Sequence, residues 1–259
     1  MLLQEKVAVI TGGGRGIGRT IALAYARAGA RLALAARSVT ALEETRRMVS
    51  DLGGEAVVIP TDVSQATAVA ALAQAVQEHF GRVDILVNNS GTAGPTAPLW
   101  EITPDAWEET FAVNVRGTFL CCRALLPLMI AQASGCIICI GSMTGKRPLF
   151  GRTPYAASKL ALVGLARTLA WEVGPYGIRV NVISPGPVEG ERIEQVIRKQ
   201  AEVKGISLEE ARATFLRDAP LGRLVTAEEV AAAAVFLASE QAASITGEDL
   251  NVSAGIVMY

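Results

Sequence analysis

The chain has 259 residues, 51% of them hydrophobic and 19% charged, a composition that suits one well-buried α/β domain and requires no second one. The formal net charge is -1 and no basic run occurs, so the electrostatic footprint expected of a nucleic-acid or anionic-membrane binder is missing. The first six residues lead at once into an apolar stretch from Val7, which leaves no room for a cleaved leader and sets the expectation of a cytoplasmic location.

That first apolar run, residues 7–10, reads as a strand, and six more follow at 32–36, 56–59, 85–87, 137–140, 180–183 and 250–252. Continuous rather than alternating apolar strands imply a sheet covered on both faces. Between the strands lie helical segments with recognisable starts. The segment 17–28 opens on a glycine turn, Thr103 followed by Pro104 marks another start, and capping boxes stand at Thr40 to Glu43, Ser207 to Glu210 and Thr226 to Glu229. Strict alternation of strand and helix predicts a Rossmann-type α/β fold, a doubly wound parallel sheet with helices on both faces, in a single domain spanning 1–259.

Three features along the way bear on function. The apolar stretch 118–133 is interrupted by Arg123 and Pro127 and reads as too short to span a bilayer. Cys136-Ile-Ile-Cys139 has a metal or redox spacing, but on a strand residues three apart point to opposite faces, so these cysteines are expected to be small buried hydrophobes. His79, the sole histidine, precedes Phe80-Gly81 near a helix end, so no His-based metal cluster or Ser-His-Asp triad is expected. Between Pro185 and Pro220 two charged helical stretches, 191–204 and 208–217, replace a simple crossover. They read either as a substrate lid at about 188–219 or as a packed peripheral helix pair.

The turn Thr11-Gly-Gly-Gly-Arg-Gly-Ile-Gly18, between the first strand and its helix, is the context of a dinucleotide-binding site. Glycines let the backbone approach a pyrophosphate, and the free N–H groups of the helix start point at it. An NAD site normally offers a carboxylate to the ribose at the end of the second strand, but here the chain reads Ala35-Ala36-Arg37-Ser38. Arg37 there, with Arg15 in the glycine turn, suits a 2′-phosphate, so NADPH is expected to be preferred over NADH. Downstream, Tyr155 and Lys159 stand four apart and share one helix face, where an ammonium favours a phenolate usable as a proton shuttle. Ser142 upstream offers a hydroxyl to hold the reacting oxygen.

Taken together these residues closely resemble the short-chain dehydrogenase/reductase family over nearly the whole chain. The matching stretches run in the family's order: the glycine pattern Thr11 to Gly18, Asp62-Val63, Asn88-Asn89-Ser90-Gly91, Asn114, Ser142, Tyr155-x-x-x-Lys159 and Pro185-Gly186. The resemblance implies cofactor contacts at Gly12, Arg15, Gly16, Ile17, Gly18, Arg37, Asp62, Val63, Asn89, Gly91, Tyr155, Lys159, Pro185, Gly186 and Val188. It implies a catalytic group of Asn114, Ser142, Tyr155 and Lys159, with no metal. Asn114 is expected to kink a helix and hold a water on its side chain, or else to be a satisfied core amide. The family's common threonine near position 190 is absent from Pro187-Val-Glu-Gly190, which leaves the Val188 backbone to hold the nicotinamide carboxamide.

The expected activity is hydride transfer between NADP(H) and a carbonyl or secondary alcohol, a medium-sized carbonyl compound rather than a free sugar. The alternatives are a 3-oxoacyl-acyl-carrier-protein reductase, weakened by the lack of basic residues at Pro127, Ala131-Gln-Ala133 and Tyr176, and a non-catalytic dinucleotide-binding protein. A homotetramer is expected, pairing the apolar segments 110–131 and 155–174 and burying the apolar tail 255–259. The substrate pocket is expected from 92–99, 143–150 and the excursion after Val188, with Leu99, Trp100, Met143, Leu149 and Phe150 as an apolar wall. Lys146 and Arg147 are available for an anionic substrate or are solvated loop charges.

Overall fold

The computed structural model describes residues 1–259. All seven expected strands form: β1 (Val7–Thr11), β2 (Arg31–Ala36), β3 (Ala56–Pro60), β4 (Ile85–Asn88), β5 (Gly135–Ile140), β6 (Ile178–Pro185) and β7 (Asp249–Val252). They pair in the order β3-β2-β1-β4-β5-β6-β7, each neighbour parallel to the next. Nine α-helices cross between them: α1 (Gly16–Arg27), α2 (Val39–Asp51), α3 (Ala66–Phe80), α4 (Pro104–Phe111), α5 (Gly117–Gln132), α6 (Thr153–Val173), α7 (Glu191–Lys204), α8 (Leu208–Arg217) and α9 (Ala227–Ala238).

Strands buried on both sides feed two cores, one per face of the sheet. On one face Ile10, Leu32, Leu34, Ile138 and Ile183 pack against Ile21 and Tyr25 of α1 and Val230 and Leu237 of α9. On the other, Val9, Leu86, Ile137 and Val180 pack against Leu72 and Val76 of α3, Leu125 and Met129 of α5, and Val163 of α6. Cys136 belongs to the first core and Cys139 to the second, as strand alternation requires; all four cysteines are free and buried. His79 lies in the last turn of α3, exposed, 3.4 Å from a Glu55 carboxylate oxygen.

Two sequence expectations need correction. Helix α2 begins at Val39 rather than after Thr40, because the Ser38 hydroxyl accepts from the Ala41 N–H and so caps the helix two residues earlier. The apolar stretch 118–133 is also only the latter part of a longer run. A π-helical turn, Ala112–Arg116, joins α4 to α5 without a break, giving a helical run Pro104–Gln132 of 29 residues, long and apolar enough by itself to cross a bilayer. In this fold its second half lies along β4 and β5, with Cys121, Cys122, Leu125 and Met129 in the core.

The capping boxes at Ser207 and Thr226 are both present in full, and Thr103 caps α4 with Pro104 following. Helices α7 and α8 pack on each other through Ile193, Ile197, Ala201, Ala211 and Phe215, a small core separate from the sheet. Gln200 of α7 donates to the Phe150 carbonyl (2.8 Å), and Arg147 pairs with Asp218 just past α8 (2.8 Å), so the helix pair rests on the loop that follows β5.

Candidate active site

The winding reverses between β1 and β4, and the loops leaving the carboxyl ends of the strands meet around that crevice, the place where open α/β sheets bind ligands. A three-way clamp holds it. Thr11 Oγ1 accepts from the Asn89 and Ser90 N–H groups (3.0 Å each), and Asn89 Nδ2 donates to the Thr11 carbonyl (2.9 Å) and the Gly12 carbonyl (3.2 Å). Gly12 has φ +67, and a Cβ on Gly18 would collide with the Gly12 carbonyl and the Asn89 amide. Only glycine lets the turn fold back this tightly.

The N-terminus of α1 is bare. Its cap residue, Arg15, makes no side-chain cap and no acid stands in the first turn, whereas Ser38, Thr103, Ser207 and Thr226 cap α2, α4, α8 and α9. The free N–H groups of Gly16, Ile17 and Gly18 therefore fit a dinucleotide pyrophosphate. Arg15 and Arg37 are both exposed and neither forms an ion pair; no carboxylate follows β2. Asp62 spends Oδ1 on the Ser64 N–H and hydroxyl (3.0 and 2.8 Å), and those bonds, aided by Arg37, outweigh burial and hold its carboxyl below its ordinary value. Val63 beside it is buried against Gly117.

Past β6, Gly186 packs so closely on Ser253 that a Cβ would stand 2.9 Å from its Cα. Val188 bridges Val225 in parallel fashion. The bonds fall on its neighbours, Val225 N–H to Pro187 O (3.0 Å) and Glu189 N–H to Val225 O (2.8 Å), which turns Val188's own N–H and C=O away from that strand partner. These groups fit the carboxamide role left to them by the missing threonine.

Asn114 sits inside the π turn, fully buried. Its Oδ1 accepts from Thr92 N–H (2.8 Å), and its Nδ2 donates to Thr92 O (3.1 Å) and Ser158 Oγ (2.9 Å). The side chain is thus a strut tying the loop after β4 to α6, as the core-amide reading expects. Gly91 faces both Asn114 and Lys159: a Cβ there would lie 3.2 Å from Asn114 Oδ1 and 3.5 Å from Lys159 Nζ.

Lys159 is 5% exposed and donates to the Ile140 carbonyl at the end of β5 (2.7 Å), with no carboxylate partner. Its Nζ lies 5.8 Å from the centre of the Tyr155 ring, one turn back along α6. Ser142, just past β5, accepts from the Thr144 N–H (3.2 Å). Burial alone pushes the Tyr155 phenol up, but Lys159, Arg192, the Ser142 hydroxyl and Arg152 together hold it below the ordinary tyrosine value. Burial lowers Lys159, against the pull of Tyr155. The arrangement is a phenol primed to give or take a proton beside a serine hydroxyl.

Arg152 and Arg192 lie outside the sequence expectations; Arg152 occupies the cap position at the start of α6, three positions before Tyr155. The expected pocket also changes. Lys146 pairs with the buried Asp249 (2.8 Å) and with Asn251 Oδ1 (2.6 Å), and Arg147 with Asp218, so these cations are structural ties rather than free anion holders. Leu99 and Trp100 ride a short 3₁₀ turn out to the surface, Trp100 82% exposed, and do not wall a pocket. Met143, Leu149 and Phe150 line a cavity of about 180 Å³ together with Phe215 of α8 and Ile256, and Tyr155 is not part of its wall.

Comparison with known proteins places the chain among oxidoreductases. Residues 12–257 match a family model described as enoyl-(acyl carrier protein) reductase. D-threitol dehydrogenase of Mycolicibacterium smegmatis is 39% identical, covering 98% of this chain and 93% of that protein. The 3-oxoacyl-acyl-carrier-protein reductase of Escherichia coli is 35% identical over 100% of both chains. Among solved structures, NAD+-bound xylitol dehydrogenase superposes with TM-score 0.96 at 30% identity over 98% of this chain and 100% of its own. Actinorhodin polyketide ketoreductase with NADPH gives 0.94 at 33% over 98% of each chain.

An alkaline titration of the phenolate absorbance should show Tyr155 losing its proton before Tyr25, whose phenol burial drives well above the usual value. A depressed pKa means loss of the proton at lower pH, so Tyr155→Phe should delete the Tyr155 contribution to the titration and Lys159→Met should move it upward.

Proposed function

The chain belongs to the short-chain dehydrogenase/reductase family of oxidoreductases acting on CH–OH groups, and from that membership we propose that it transfers a hydride between NADP(H) and a carbonyl or secondary alcohol. The observation that carries the reading is the Tyr155 phenol beside buried Lys159 and Ser142, facing the same crevice as the bare N-terminus of α1. A nicotinamide dinucleotide, when bound, supplies or accepts the hydride and its two electrons. The phenol of Tyr155 gives a proton to the carbonyl oxygen in reduction, or takes one from the hydroxyl in oxidation. Ser142 orients and polarises that oxygen, and Lys159 keeps the phenol acidic. Gly12, Arg15, Gly16, Ile17 and Gly18 would hold the pyrophosphate side, Asp62, Val63, Asn89 and Gly91 the adenosine and ribose side, and Pro185, Gly186 and Val188 the carboxamide. Helices α7 and α8 serve as the substrate lid.

NADP preference rests on two unpaired arginines, Arg15 and Arg37, where an NAD site would keep a carboxylate. A second reading, reduction of 3-oxoacyl groups on a carrier protein, draws on the full-length likeness to such a reductase. It meets a surface at Pro127, Ala131 and Tyr176 that offers an acidic carrier no basic dock. A cytoplasmic location accords with four free thiols buried without a disulfide. Assembly as a homotetramer is supported by apolar side chains left in the open on the helices expected to pair: Phe119 on α5, and Leu160 and Trp171 on α6, Trp171 87% exposed.

Replacing Tyr155 with Phe should cut turnover by about 10²- to 10⁴-fold while cofactor binding, followed by fluorescence, stays near wild type. Undiminished turnover would refute the mechanism. Arg37→Asp should shift preference from NADPH toward NADH, measured as the ratio of the two kcat/KM values; a wild-type protein that favours NADH would overturn the assignment. Light scattering should give a mass near four times the 27.1 kDa of one chain.

A further inference from the structure

Two guanidinium groups converge on Tyr155. Arg152 Cζ lies 4.7 Å and Arg192 Cζ 5.9 Å from the centre of the phenol ring. Arg152 is 4% exposed, and its only side-chain hydrogen bond is from Nη1 to Thr96 Oγ1 (3.0 Å); its Nε is buried without a partner. Neither arginine forms an ion pair, although Lys146, Arg147 and Arg212 do. None of the nearby acids pairs with either arginine: Glu194 binds Arg212, Glu191 accepts from the neutral amide of Gln195 (3.1 Å), and Glu189 forms no ion pair.

Counting charges shows what is missing. Lys159, Arg152 and Arg192 bring three positive charges around one phenol, and full ionisation of Tyr155 would offset one of them. A buried arginine without a carboxylate is costly unless an anion completes the site. The planar guanidinium fork matches a carboxylate with two parallel N–H···O bonds.

We propose, resting on the oxidoreductase reading, that Arg152 and Arg192 hold the carboxylate of the substrate, which is a short hydroxy or oxo acid with its carboxylate a few bonds from the reacting carbon. Arg152 is fixed at the residue that precedes α6, the helix that carries Tyr155, and Arg192 on the first turn of α7. Seating the acid would therefore draw α7 toward the reacting centre, and the lid would close on a recognised anion.

The test compares 2-oxo, 3-oxo and 4-oxo acids of four to six carbons with their primary amides, which keep the carbonyl and lose the charge. Both members of a pair use the same Tyr155, so any effect through its ionisation cancels in the acid-to-amide ratio of kcat/KM. Wild type should favour at least one acid over its amide, and Arg152→Gln should lower that ratio by about 10- to 100-fold, the loss of one or two charge-assisted bonds, mainly through KM. Arg192→Gln, on an exposed residue whose loss leaves the core intact, should lower it in the same direction. Wild type that turns over neutral ketones and amides but favours no acid would overturn the inference and leave the oxidoreductase reading standing. So would variants that slow acid and amide equally, since the arginines would then act on Tyr155 alone. No turnover of any carbonyl or alcohol with either nicotinamide would overturn both.

Discussion

A parallel strand cannot return by a tight turn, so each of the first six strands is followed by a crossover long enough to carry helix, and every loop leaving a strand's carboxyl end opens on the same edge. That constraint gathers residues as distant as Gly12, Asp62, Asn89, Ser142 and Gly186 along one rim. The Thr11 hydroxyl and the Asn89 amide then fasten the loops on either side of the reversal point, so the crevice between them has a fixed width. The glycine turn and α1 build one wall. The second wall is α6, secured to β5 by the Lys159 to Ile140 bond and to the π turn by Ser158 and Asn114.

Against that fixed frame, the electrostatics at the rim are lopsided. Cations outnumber anions at both ends of the crevice, with Arg15 and Arg37 at one and Lys159, Arg152 and Arg192 at the other. Other cations do find acids, including Arg82 with Asp84 and Arg223 with Glu229. A protein with a net charge of -1 has enough acids to neutralise these sites, so their placement elsewhere is what leaves the crevice positive.

The strands were readable from short unbroken apolar runs such as residues 7–10 and 137–140, because a sheet covered on both faces buries successive side chains alike. The roles proposed for the glycine turn, Tyr155 and Lys159 could be drawn from the chain because they depend on local spacing. What stayed hidden depended on partners distant in sequence. Lys146 looks free in the chain and is tied to Asp249 more than a hundred residues away. Trp100 looks like a pocket wall until the turn at Leu99–Glu101 carries it outward. Asn114 offers no local hint that its amide is spent on Thr92 and Ser158. Arg152 needs the exact start of α6 before its approach to Tyr155 can be seen, and helix starts are the least legible part of any sequence. The same uncertainty placed the start of α2 at Thr40 when Ser38 was the cap.

The split of the cysteines between the two cores gives the molecule a pair of internal reporters. Burial pushes the Cys136 thiol up to about 11 on the α1 and α9 side, and Cys121 and Cys139 up to about 12 on the side of α3, α5 and α6. Thiols so protonated and enclosed are inert to alkylating reagents while the fold is closed, so modification of each one times the exposure of its own layer. Peptide mapping after a brief pulse of such a reagent would therefore tell which side of the sheet comes apart first, with no label introduced.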